Sequence, residues 1–143
     1  LKDKSSLYIL GRGPSWPIAC EAALKFKETS GLHAEAYSAA EVLHGPVSIV
    51  GAGFPVLVLA ARDKGETHLI PVCDRLVDQG AQVFITSALP TKAHLLPFAS
   101  TGHDLTDALV QIASFYGFVE MLSRHRGLNP DTPAHLQKVT ETT

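Results

Sequence analysis

Short, almost continuous apolar runs alternate along this chain with segments of helical periodicity, and this alternation restricts the fold more than any other feature. The apolar runs occupy residues 6–10, 55–61 and 81–86, and such runs are typical of parallel strands that are covered on both faces. Apolar residues at helical spacing separate them, over residues 18–26 and 69–77. Strands that alternate with helices join into a parallel sheet through right-handed crossovers. The chain is therefore predicted to be an α/β protein, a three-layer α/β/α sandwich with a central parallel sheet of flavodoxin-like or Rossmann-like architecture.

The last third of the chain carries a broader apolar stripe. Its apolar side chains recur over residues 104–126 and predict a long helix that Gly127 ends. A short strand is expected before it, at residues 93–98. So broad a stripe indicates contact with more than one neighbour, and we expect a homodimer or a higher homo-oligomer. Prolines and a run of Thr and Glu follow, so residues 1–127 are predicted to form the folded domain and residues 128–143 an extended tail.

Composition excludes several classes of function. The 143 residues are 45% hydrophobic, which is enough for one domain with a sizeable core. The formal net charge is −2, with 12 Lys and Arg against 14 Asp and Glu, and this balance does not suit a nucleic-acid-binding surface. The apolar runs are far shorter than the roughly 20 residues of a membrane span, and no signal-like segment opens the chain. We expect a cytoplasmic protein with no nucleic-acid partner and no membrane partner.

Cysteines and histidines form no metal or redox motif. Cys20 and Cys73 lie far apart without C-x-x-C spacing, and the 7 His residues show neither H-x-x-x-H nor H-E-x-x-H spacing. A metal site is therefore not expected. Cys20 is expected to pack as a small apolar residue within the first helix.

A glycine-rich turn joins the first predicted strand to the first predicted helix. Gly11-Arg12-Gly13 begins like a dinucleotide-binding motif, but Trp16 stands where the third glycine would fall, so that interpretation fails. Two alternatives stay open. Arg12 and Ser15 near the helix N-terminus can bind an anion such as a sugar phosphate, or the glycines give the backbone freedom for a tight turn. The motif alone favours the second. Ser15 or a residue beside it is also a candidate N-cap.

Three charged residues share one face of the first predicted helix. Glu21, Lys25 and Glu28 fall at i, i+4 and i+7, a spacing typical of a solvated charged face. In the alternative, Glu28 faces a pocket and acts as a carboxylate base. The spacing alone favours the solvated face.

A histidine and a lysine are further candidates. Residues 38–43 are predicted to form one or two helical turns that end at a His-Gly-Pro sequence. His44 of that turn is either a surface residue or a titrating imidazole that is presented to a ligand. Lys138, among the Thr and Glu of the tail, is by itself typical of solvent-facing charge.

Four stretches together carry a pattern that is dense over residues 10–46 and returns at residues 133–140. They read LGRG at 10–13, PIACEAALKFKE at 17–28, HAEAY at 33–37 and EVLHGP at 41–46. This pattern closely resembles the second sugar isomerase (SIS) domain in the isomerase half of glucosamine-6-phosphate synthase and its relatives. The resemblance implies an aldose–ketose isomerase with two such domains in one chain, which acts on a small phosphorylated sugar or amino sugar and uses no cofactor.

The resemblance also implies roles for individual residues. Glu28, which ends the L-K-x-K-E motif, resembles the base that moves a proton between C1 and C2 of the open-chain sugar. His44 of the H-G-P motif resembles the ring-opening acid/base, which the family lends to the active site of a neighbouring subunit. Lys138 resembles the tail lysine that assists ring opening or forms an imine with the ketose carbonyl. The expected substrate-binding residues are Gly11, Arg12, Gly13, Ser15 and Gln137.

Two departures from the family pattern affect what the resemblance implies. The family's phosphate-binding loops are rich in Ser and Thr and belong to the first SIS domain, whereas the loops here read GRGPS at 11–15 and ARDKG at 61–65. The tail reads AHLQK at 134–138, which is closer to the stand-alone amino-sugar-phosphate deaminases and isomerases than to the synthases.

The chain also opens without an initiator Met. Together with the departures in the loops and the tail, the absence of an initiator Met leads us to expect the C-terminal half of a protein with two SIS domains. The expected reaction converts an amino-sugar 6-phosphate to a ketose 6-phosphate with release of ammonia, or runs in reverse. The alternative is a non-catalytic SIS module that senses a sugar phosphate in a regulator.

Overall fold

A parallel sheet of five strands, in the order β2-β1-β3-β4-β5, forms the centre of the computed structural model, which describes residues 1–136. The strands are β1 (Ser6–Gly11), β2 (His33–Ser38), β3 (Pro55–Val58), β4 (Gln82–Ile85) and β5 (His94–Leu95). The helices are α1 (Ser15–Ser30), α2 (Glu66–Asp78) and α3 (Asp104–His125), and two 3₁₀ turns, Val42–His44 and Pro46–Ile49, follow β2. Each strand pairs in parallel with its neighbours. The predicted α/β fold with a central parallel sheet is confirmed.

Both faces of the sheet are covered, which gives the three layers. The core on one face contains Ile9 of β1, with Phe26 of α1 and Phe115 of α3. The core on the other face contains Leu10 of β1, with Leu69 and other residues of α2. Successive strand residues point to opposite faces, so Ile9 and Leu10 enter different cores and both are fully buried. This double coverage explains why the strands read as continuous apolar runs.

The strand order reverses between β1 and β3, and this reversal determines where the candidate residues lie. In such sheets a crevice opens at the carboxyl ends of the two strands beside the reversal. The turn after β1, residues 11–15, lies at that end. Helix α1 starts there and runs back to the amino end of the sheet, where β2 begins and His33 N–H donates to the carbonyl of Ser5. Glu28, in the last turn of α1, therefore lies at the amino end.

Two local predictions were correct only in part, and one strand was not predicted. Residues 38–43, predicted as helical turns, contain the end of β2 and the start of the first 3₁₀ turn. Strand β2 was not predicted because it is an edge strand in which only Ala34 is fully buried, so it lacks a continuous apolar run. The strand expected at 93–98 is reduced to the two residues of β5.

Helix α3 leaves apolar surface exposed on the sheet side and on its own outer side. An apolar groove of about 490 Å³ lies along α3, and its lining includes Leu57, Phe84, Phe98 and Phe118. By length and composition α3 is the one helix within residues 1–136 that could cross a membrane. A third of this span is buried, and its buried apolar residues contact α1 and the sheet.

Candidate functional site

Glu28 is held at the last turn of α1 by a neighbouring lysine. Lys25 Nζ lies 2.7 Å from Glu28 Oε2 and 3.6 Å from Glu21 Oε1. The Glu28 side chain is 29% exposed, so it is neither sequestered in the core nor free in solvent. The hydrogen bond with Glu28 raises the pKa of Lys25, and the ammonium therefore stays charged at neutral pH. The carboxylate is in this way fixed at the surface of the domain.

The end of α1 that carries Glu28 is also where the C-terminal tail leaves the domain. Gly31 ends the helix in the left-handed conformation, with φ 59°. Ser123 Oγ donates to the carbonyl of Thr29 at 2.6 Å, and Arg126 Nε donates to the carbonyl of Ser30 at 2.7 Å. The tail beyond Arg126 thus starts beside Thr29 and Ser30, the last two residues of α1. Gln137 and Lys138 lie outside the described residues.

His44 is exposed at the end of the first 3₁₀ turn, in the loop after β2. Val42 anchors this loop in the core, and Tyr8 Oη donates to the carbonyl of Pro46 at 3.1 Å. The loop follows the carboxyl end of β2, at the same end of the sheet as the start of α1. Glu28 lies about 20 Å from the start of α1, given a helical rise of about 1.5 Å per residue. The structure therefore does not bring His44 and Glu28 of one chain together.

The turn at residues 11–15 brings its backbone close to α1. A Cβ atom at Gly11 would lie 2.5 Å from the carbonyl oxygen of Ser15, so only glycine fits there. Gly13 adopts φ 55°. Ser15 is the first residue of α1 rather than its N-cap, and α1 has no side-chain N-cap hydrogen bond. The Ser15 hydroxyl is fully buried without a hydrogen-bond partner, so Ser15 does not cap the helix, and the neighbouring Pro14 occupies the N-cap position.

A carboxylate that the sequence did not point to lies against this turn. A Cβ atom on Gly13 would lie 2.5 Å from Asp63 Oδ2, and a Cβ atom on Gly65 would lie 3.1 Å from the same oxygen. Arg12 is half-buried beside them. A phosphate bound in the turn would meet the positive charge of Arg12 and the N-terminus of α1, but also the negative charge of Asp63. The electrostatics of the turn thus favour an anion less than its sequence suggested.

A second cluster missed by the sequence analysis lies at the carboxyl ends of β3 and β4. Arg62 Nη2 donates to the carbonyl of Thr86 at 2.6 Å, and its guanidinium lies 3.8 Å from the ring centroid of Phe98. Ser87 Oγ donates to Glu66 Oε1 at 2.6 Å, and Arg62 Nε lies 3.5 Å from the same oxygen. The i, i+4 spacing of Arg62 and Glu66 was the available signal. This cluster ties the loop after β3 to the loop after β4.

Thiols and metal ligands give no further site in the part of the chain that the structure describes. Within residues 1–136 no group of three or more His, Cys, Asp and Glu side chains is placed to hold a metal ion. Cys73 is buried, and this burial raises the pKa of its thiol to about 12. Cys20 is exposed, so its predicted packing inside the domain was wrong. The neighbouring Ala19, Ala22 and Ala23 form the inner face of α1, and Cys20 lies on the outer face.

Comparison with known proteins assigns the chain to a family. The family model described as SIS domain matches residues 1–86, which include the turn at 11–15, Glu28 and His44. The chain belongs to the SIS domain family. The resemblance stated from the sequence motifs is therefore confirmed.

Individual relatives extend the SIS likeness along most of the chain. The glutamine–fructose-6-phosphate aminotransferase (isomerizing) of Sulfolobus acidocaldarius is 35% identical over 147 residues, covering 96% of this chain and 23% of that protein. The crystal structure of a Silicibacter pomeroyi protein assigned as a phosphosugar isomerase is 54% identical, with a TM-score of 0.83, over 88% of this chain and 38% of the other. The C-terminal domain of glucosamine-fructose-6-phosphate aminotransferase from Francisella tularensis is 26% identical, with a TM-score of 0.83, over 92% and 38%. The SIS chain thus spans about a quarter of the curated relative's length.

Proposed function

We propose that this SIS domain is the C-terminal half of the catalytic unit of an enzyme that interconverts an amino-sugar 6-phosphate and a ketose 6-phosphate. The observation that carries the proposal is the Glu28 carboxylate, fixed by Lys25 at 2.7 Å beside the origin of the tail, inside the segment that matches the family. The names of the relatives, an aminotransferase acting with fructose 6-phosphate and a phosphosugar isomerase, agree with this substrate class.

The proposed reaction is a proton transfer between adjacent carbons. His44 opens the sugar ring by moving a proton between the ring oxygen and the anomeric hydroxyl. Glu28 then removes the proton from C2 of the open-chain amino sugar while the C1 oxygen takes up a proton from water, which leaves an enolamine. Glu28 returns its proton to C1, and loss of one proton from the nitrogen to water gives the ketose imine. Water hydrolyses the imine to the ketose and ammonia. A C–H group of such weak acidity requires a carboxylate in a fixed position, and Lys25 holds Glu28 in that way.

Lys138 and Gln137 complete the proposed site from the tail, residues 128–143. Lys138 assists ring opening or forms an imine with the ketose carbonyl, and Gln137 contacts the substrate beside it. The turn residues Gly11, Arg12, Gly13 and Ser15 lie at the end of the sheet that carries His44, so in this proposal they contact the substrate from the same subunit as His44. The departure point of the tail beside the end of α1 supports a meeting of Lys138 with Glu28. The folded domain in this proposal comprises residues 1–127.

The separation of Glu28 from His44 supports an assembled active site. Because one chain holds the two side chains at opposite ends of the sheet, a complete site requires His44 from a second subunit. The apolar groove along α3 supports a further contact, with a companion SIS domain in the same protein. Solved relatives are long enough for such a domain, since the chain covers 38% of each.

The complete protein is therefore expected to sediment as a dimer or a larger oligomer at micromolar concentration. Analytical ultracentrifugation measures this directly. A monomer over the whole concentration range in which the enzyme is active would contradict the sharing of His44 between subunits.

Turnover and binding separate the proposed enzyme from a sugar-phosphate sensor. We expect the complete protein to convert glucosamine 6-phosphate to fructose 6-phosphate and ammonia, or to catalyse the reverse reaction, as measured by a coupled assay. We also expect both sugar phosphates to raise its melting temperature, because a ligand that binds only the folded state stabilises it. A raised melting temperature with no turnover in either direction would support the sensor instead.

A further inference from the structure

Tyr116 and Glu21 extend the contacts around Glu28 from α1 to α3. We propose that these two are positioning residues for the base: they hold the Lys25 ammonium against Glu28, so that the carboxylate keeps one orientation. This inference rests on the proposed role of Glu28, and it assigns functions to two residues outside the L-K-x-K-E motif.

Four side chains form a continuous series of polar contacts from α3 to Glu28. Tyr116 Oη donates to Glu21 Oε1 at 3.0 Å. The same oxygen lies 3.6 Å from Lys25 Nζ, which in turn lies 2.7 Å from Glu28 Oε2. The ammonium is thus placed between two carboxylates, one a helical turn before it and one a turn after it.

This line is anchored on rigid elements. Helices α1 and α3 pack together through Phe26 and Phe115, whose ring centroids are 5.1 Å apart with the rings edge to face. Tyr116 follows Phe115 directly, so its hydroxyl comes from a fixed part of α3. Tyr116 is 44% exposed, and its partial burial and its hydrogen bond to Glu21 raise the pKa of its hydroxyl. A site built on packed helices is held more firmly than one built on loops.

Lys25 holds Glu28 more firmly when the position of its own ammonium is restricted. Its side chain has four rotatable bonds, and a pair on a helix surface is weak unless further charges form a network with it. The side chains of Glu21 and Lys25 are 32% and 30% exposed, so solvent competes for both. The hydrogen bond from Tyr116 restricts the side-chain conformations of Glu21. Glu21 in turn limits the positions that the Lys25 ammonium can take.

The test is a set of conservative variants in the complete protein. Tyr116→Phe and Glu21→Gln are each expected to lower kcat about three- to fivefold, with KM within about twofold of wild type. Lys25→Met should lower kcat by about tenfold or more, and Lys25→Arg should restore part of that loss because it keeps the charge. Glu120→Gln is the matched control, since it removes an exposed carboxylate on α3 that is paired with Arg124. Its kcat should equal that of wild type.

A double-mutant comparison distinguishes positioning from a structural effect. Because Tyr116 and Glu21 act through Glu28, neither substitution should lower kcat further when it is added to Glu28→Gln. The same fold loss in both backgrounds would overturn the inference, and so would wild-type kcat in Tyr116→Phe and Glu21→Gln when Glu28→Gln is inactive. Near-normal turnover of Glu28→Gln alone is a different result, since it overturns the proposed function and this inference with it.

A second readout does not depend on turnover. Reductive methylation compares the reactivity of Lys25 with that of Lys27, an exposed lysine on the same helix. Tyr116→Phe and Glu21→Gln should both increase the reaction of Lys25 relative to Lys27. An unchanged ratio in both variants would show that they do not hold the ammonium and would overturn the inference.

Discussion

Turnover of the Glu28→Gln variant should fall at least about 100-fold, because an amide cannot accept the proton that moves between C1 and C2. Gln has the shape of Glu, and its carbonyl oxygen can still accept the hydrogen bond that Lys25 Nζ gives at 2.7 Å. The side chain is 29% exposed, so the substitution leaves no buried group without a partner. The fold should persist while the reaction is lost. Steady-state assays of the complete protein with glucosamine 6-phosphate and fructose 6-phosphate measure the change in kcat.

The control for this variant is again Glu120→Gln on α3. It also neutralises one helix-surface carboxylate next to a cation, and turnover within about twofold of wild type is expected. Matching melting temperatures for the two variants would show that the loss in Glu28→Gln is chemical. Turnover in Glu28→Gln comparable to the control would remove Glu28 from the mechanism.

The fold was predictable from sequence because the central strands are apolar on both faces. β1 and β3 have buried residues on both sides, and β4 buries Val83 and Ile85 on one side while its half-buried Phe84 lines the groove along α3 on the other. These positions together produce the continuous apolar runs. The prediction failed for strand β2, which is not covered on both faces. At the edge strand β2, polar residues such as Glu35 and Tyr37 occupy half-exposed positions, and the strand forms by pairing with β1 rather than by burying an apolar run.

The candidate site was predictable in part. The motif singled out Glu28, but helical spacing alone favoured a solvated charged face. In the structure Glu28 is neither fully solvated nor enclosed in a pocket, because Lys25 pairs with it at the partly covered end of α1. The contact from Tyr116 spans 95 positions of sequence, and Asp63 reaches Gly13 across the strand reversal. Contacts of this kind follow from the packing of elements, which no local pattern contains.

Phe26 connects the stability of the domain to the position of Glu28, two residues further along α1. Its side chain is fully buried, and its ring lies edge to face against Phe115 at 5.1 Å and Phe118 at 6.2 Å. These contacts join α1 to α3. Replacement of the ring by a methyl group removes apolar contact area and leaves a cavity that helices packed on a sheet cannot close.

Phe26→Ala is therefore expected to lower the free energy of unfolding by about 3–5 kcal/mol, a large part of the stability of a domain of this size. Chemical denaturation followed by circular dichroism gives the change from the shift in the midpoint at constant slope. Leu24→Ala is the matched control on the same helix, because Leu24 is 42% exposed, and it should cost only about 0.5 kcal/mol. Equal losses in the two variants would contradict the packing of α1 on α3. Where Phe26→Ala remains folded, its turnover should also fall, since the helix that carries Glu28 and Lys25 is then free to shift against α3.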